Sequence, residues 1–60
     1  MSDKKEYIMF TVYELSINDS RKFPVYSHND KFTCECWVEN IGKAHNSYER
    51  GLIYYVIEEA

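Results

Sequence analysis

Two stretches of this 60-residue chain are largely apolar or aromatic on both sides of any strand they form. Tyr7 to Leu15 reads YIMFTVYEL, and Leu52 to Ile57 reads LIYYVI. Both are dense in β-branched and aromatic residues and lack Gly and Pro, so both predict strands. An antiparallel sheet with one wet face alternates apolar with polar residues. Here the first strand sets Ile8, Phe10 and Val12 against Tyr7, Met9, Thr11, Tyr13 and Leu15. The last sets Leu52, Tyr54 and Val56 against Ile53, Tyr55 and Ile57. One amphipathic helix covers only one such face. A chain of this length buries only ~60% of the surface its unfolded form exposes. Small domains make up the shortfall with disulfides, a metal or a partner.

Between these stretches, Ser16 to Lys22 is polar and turn-rich, and Phe23 to Tyr26 predicts a short second strand. Pro24 has no N–H, so that strand is expected to lie at a sheet edge or to begin at the proline. The two strands form a hairpin with a loop at Asn18 to Arg21. Ser27 to Lys43 alternates as a strand does, yet it also carries Cys34, Trp37, Val38 and Ile41 as one helical stripe. Ser27 followed by Asp30 is a variant of the capping box, and Gly42 stands where a left-handed cap ends a helix. This punctuation favours helix. Ala44 to Arg50 reads as a polar loop, and Gly51 opens the last strand. The expected fold is α+β, a β-β-α-β chain with a three-stranded antiparallel sheet in the order 2-1-3 and one helix on one face. It is expected to be a single domain, with residues 1–5 as a flexible start. Val25-Tyr26-Ser27, the run Cys34 to Asn40 (CECWVEN) and Tyr54 to Glu59 (YVIEE after Tyr54) together resemble small bacterial and phage proteins of β-β-α-β organisation. That resemblance implies a packing arrangement and carries no site.

Charge and composition narrow the function. Seven Lys and Arg against ten Asp and Glu give a net charge of −3, and the pI is about 5.2. Basic nucleic-acid-binding domains usually have a pI above about 9, so direct nucleic-acid binding is not expected. No run approaches the roughly 18 apolar residues of a membrane span. Met1 to Glu6 is charged and lacks the apolar core of a secretory signal, so a cytoplasmic protein with reduced thiols is expected. His28, Cys34, Cys36 and His45 reach the ligand count of a structural zinc site, but C-x-C with flanking histidines is not a finger spacing. On a helix, Cys34 and Cys36 point about 200° apart. No base is tied to either thiol by sequence, since His28 lies six residues before Cys34. Gly42 and Gly51 stand alone, so no phosphate loop is present. No cofactor, metal or catalytic residue is expected, and the chain does not read as an enzyme.

The uncovered sheet face is then the feature with functional content. Tyr offers a large contact area and a polar tip, which suits an interface. The expected interface is Tyr7, Met9, Thr11, Tyr13, Leu15, Tyr26 and Tyr54. It serves a homodimer, the commonest closed assembly, or another protein, in an accessory or regulatory binder. The alternative is an acidic inhibitor that docks on a nucleic-acid-binding host protein through Glu14, Asp19, Asp30, Glu35, Glu39, Glu58 and Glu59.

Overall fold

A computed structural model describes residues 8–59. Strand β1 (Phe10–Ser16) is central, with β2 (Asp19–His28) and β3 (Ile53–Glu59) antiparallel on its two sides, giving the order β2-β1-β3. Helix α1 (Lys31–Trp37) packs on one face against all three strands. A π-helical turn, Val38–Gly42, continues α1, and the short helix α2 (Asn46–Glu49) leads into β3. The fold is α+β with the expected β-β-α-β layout. No helix among the described residues is long and apolar enough to cross a membrane.

The hairpin is longer than its composition suggests. β2 runs from Asp19 to His28, not from Phe23 to Tyr26, because pairing with β1 draws its polar start into the sheet. The connection shrinks to Ile17 and Asn18. Among the described residues no non-glycine residue has positive φ, so this is not the primed turn that matches strand twist. The register slips between Leu15 and Ser16 and takes up the mismatch. A second slip, between Val12 and Tyr13, leaves Val25 unpaired beside Pro24. A proline is tolerated at such a bulge on an edge strand.

The helix is built differently from its punctuation. Asp30, not Ser27, is the N-cap: its Oδ1 accepts from the Phe32 N–H at 3.3 Å and its Oδ2 from the Thr33 hydroxyl at 3.0 Å. Ser27 belongs to β2 and shares a 3.2 Å hydrogen bond with Thr11 across the sheet. Gly42 is not a left-handed cap. It lies in the π turn, closed by the Lys43 N–H donating to the Val38 carbonyl at 2.7 Å. That turn holds one residue more than an α turn. The apolar stripe therefore moves off Ile41, which is 56% exposed, and onto Gly42, which is buried. The left-handed residue is Gly51, at φ 75°. It ends α2 in a Schellman motif, with Gly51 N–H donating to Tyr48 and Leu52 N–H to Ser47. The segment Ala44 to Arg50 is thus a helical turn with a defined stop, not an open loop.

Candidate functional site

The thiols and imidazoles are used locally. Cys34 is fully buried beneath the sheet, and its thiol donates to the Phe10 carbonyl at 3.5 Å. Burial pushes that thiol up from its ordinary pKa, and the nearby Asp30 and Glu35 carboxylates add to the effect. Cys36, two positions on, is half-buried. His28 Nδ1 accepts from the Asp30 N–H at 3.1 Å, and His45 Nδ1 accepts from the Ser47 N–H at 3.1 Å, capping α2. Among the described residues no three His, Cys, Asp or Glu side chains converge where a metal ion would sit.

The face of the sheet away from α1 brings together four of the residues marked as an interface. Thr11, Tyr13 and Leu15 of β1 share it with Tyr54 and Val56 of β3, as the register requires, and Met9 lies just ahead of β1. Met9 and Tyr54 are exposed, at 41% and 44%. Tyr7 lies outside the described residues. Tyr26 is not on this face: its partner across the hairpin is Val12, which is fully buried under the helix. The centre of the face is less bare than its sequence suggests. Lys22 reaches across to Glu58 at 2.7 Å, and its ammonium sits 4.6 Å from the centre of the Tyr13 ring. Glu58 holds the Lys22 ammonium above its ordinary pKa. An ion pair therefore roofs the central tyrosine.

On the helix side, Tyr26 stacks on Trp37 at 5.4 Å, and Trp37 meets Tyr55 edge-on at 5.8 Å. His28 extends this row at one end and Tyr48 at the other. Aromatic contacts of this kind add about 0.5–1.5 kcal/mol each beyond area burial. The row joins helix to sheet together with the small buried core of Val12 and Cys34. Sequence reasoning placed Tyr26 on the wrong face because the bulge at Val25 shifts the alternation beyond it. Tyr48 was unmarked because its turn read as loop.

Beside this row, an open groove of about 580 Å³ runs between the helix and β3. Phe32, Cys36 and Val38 line one side, and Tyr55 and Ile57 the other. Glu35, Glu39 and Lys43 rim it. Phe32 is 68% exposed. The groove contains residues of β3 but none of β1 or β2, so it opens toward the free edge of β3.

Several of the acidic residues are already matched. Asp19 pairs with Arg21 at 2.7 Å, which holds its carboxyl below the usual value, and Glu39 pairs with Lys43 at 2.8 Å. With Glu58 on Lys22, three of the seven acids considered for a decoy surface are neutralised by neighbours. Comparison with known proteins finds no family model, curated protein or solved structure that matches the chain, so its function is argued from its own geometry.

Proposed function

We propose that the protein is a small non-enzymatic interaction module that works by protein–protein contact and assembles as a homodimer. The observation that carries this reading is the imbalance between core and surface. Among the described residues, Val12 and Cys34 are the fully buried apolar side chains. Large apolar groups as far apart as Phe23, Phe32, Ile41 and Leu52 stay exposed. Scattered exposed hydrophobes are ordinary on a protein surface. A core of two side chains beneath them is not, and small domains with so little interior draw stability from association. The local pairing of Asp19, Glu39 and Glu58 leaves less free charge for docking on a basic surface.

The test is solution mass by light scattering on a sizing column at two concentrations. The expected value is near twice the 7.2 kDa of one chain. A mass of one chain at both concentrations overturns the homodimer.

A further inference from the structure

The two edges of the sheet are built in opposite ways. The β2 edge carries Arg21, Lys22, Pro24 and the Val25 bulge, the devices that keep an edge from pairing. The β3 edge has no proline and no bulge, and its charges, Glu58 and Glu59, are confined to its last two residues. Its register with β1 runs without a slip from Ile53 to Glu59. Ile17 N–H donates to the Leu52 carbonyl. Antiparallel pairs alternate, so Tyr54, Val56 and Glu58 turn their backbone groups toward β1. Ile53, Tyr55, Ile57 and Glu59 therefore aim theirs outward.

On the homodimer reading above, the geometry points to β3 as the contact: the β3 strands of two copies pair antiparallel about a twofold axis at Val56, joining two sheets into one of six strands. Charge selects the direction. Parallel pairing in register sets Glu58 and Glu59 against their own copies. Antiparallel pairing carries the acidic end of each strand to the other's beginning, near Arg50. Pairing along the whole of Ile53–Glu59 makes Val56 its own partner, because it is the middle residue. Each outward-facing residue then meets another, Ile53 with Glu59 and Tyr55 with Ile57.

The groove explains how such a contact reaches a stable size. A seven-residue strand is about 24 Å long and its edge about 10 Å thick, or roughly 240 Å². A specific dimer buries about 800 Å² per partner. Side chains have to supply the difference. Those of Ile53, Tyr55 and Ile57 from an incoming strand lie on the helix side of the joined sheet, where exposed Phe32 and half-buried Val38 line the groove that receives them.

Cross-linking tests this arrangement. Val56 opposite itself is a non-hydrogen-bonded pair with Cα atoms about 4.5 Å apart, inside the range a disulfide spans. Face-to-face sheets lie about 10 Å apart, beyond its reach. In a Cys36→Ser background, Val56→Cys is expected to convert most of the chain to a disulfide-linked dimer under mild oxidation. Tyr13→Asp, at the centre of the open face, is expected to keep the mass of two chains. A dimer that Tyr13→Asp dissolves and Val56→Cys does not link overturns the β3 contact and leaves the homodimer standing. A parent chain at the mass of one overturns both. Ile57→Pro removes an outward N–H with the β1 pairing intact, and its solution mass is expected to halve while far-UV circular dichroism keeps the fold. A folded Ile57→Pro dimer also overturns the proposal.

Discussion

Gly42 and Gly51 are glycines for different reasons, and substitution separates them. A Cβ on Gly42 meets the Tyr55 ring at 3.0 Å and Trp37 at 3.3 Å, within the aromatic row. Ala there gains helix propensity of about 1 kcal/mol, but overpacking costs about 1–3 kcal/mol. The expected result for Gly42→Ala is a lower urea midpoint. Gly51 has open space around it and φ 75°. Gly51→Val is expected to cost more than Gly51→Asn, since Asn tolerates the left-handed region. Equal midpoints for these two variants would remove the conformational argument. Cys34 makes a pH prediction. Its folded thiol ionises at higher pH than a free one, so the fold favours the protonated form. Stability from this group is complete well below about pH 8.5, where an unfolded thiol is half ionised. It declines as pH rises through the folded value. Tyr55 (raised by burial and Glu14), Lys22 and Lys43 act in the same direction at higher pH. Urea midpoints measured from pH 7 to 9.5 are expected to fall, and to fall less for Cys34→Ala than for the parent.

At the scale of elements, the strands were legible and the helical segment only in part. β1 and β3 announce themselves because β-branched and aromatic residues pack well on a pleated surface wherever the strand lies. The missing N–H of Pro24 allowed an edge strand or a strand that begins at the proline, and β2 takes the edge. Its length did not, because pairing with β1 brings Ser20 to Lys22 into the strand against their own preference. Asp30 marked the start of α1, though as the cap itself and not as the partner of Ser27. The π turn left no signal, since a 3.6-residue period assumes that each turn holds the same number of residues. Trp37 is the residue on which the packing of α1 turns, between Tyr26 and Tyr55. Truncating a large core aromatic costs about 3–5 kcal/mol. Trp37→Ala, half-buried, is expected near the low end, which is much of the total stability of a small domain. Phe32→Ala, on the same helix but 68% exposed within one chain, is expected to cost less than Trp37→Ala, through the contact between copies and not through the core. A larger loss from Phe32 than from Trp37 would reverse the assignment of core and groove.

The molecule as a whole is a slab, with Cα extents of 49 × 24 × 10 Å and a radius of gyration of 13.5 Å. A compact chain of 60 residues has a radius near 10 Å. A slab has much surface for its volume, which is why the aromatic row stays half-buried. If a second copy completes the packing, folding and association are linked, and stability depends on concentration. The thermal midpoint is expected to rise as protein concentration is raised tenfold; an invariant midpoint would show that one chain holds its fold alone. Local pattern along the chain is enough to set the class of object: three strands, one helix, a strand interrupted by Pro24, and more apolar surface than one helix covers. Those are properties of local pattern, in which each residue's preference acts within a few neighbours. The tertiary structure alone decided which face each side chain occupies. The bulge at Val25 sent Tyr26 under the helix, the π turn exchanged Ile41 for Gly42, and Lys22 crossed the sheet to roof Tyr13. Each of these hangs on one inserted residue or one long-range pair, and a period read along the chain counts neither.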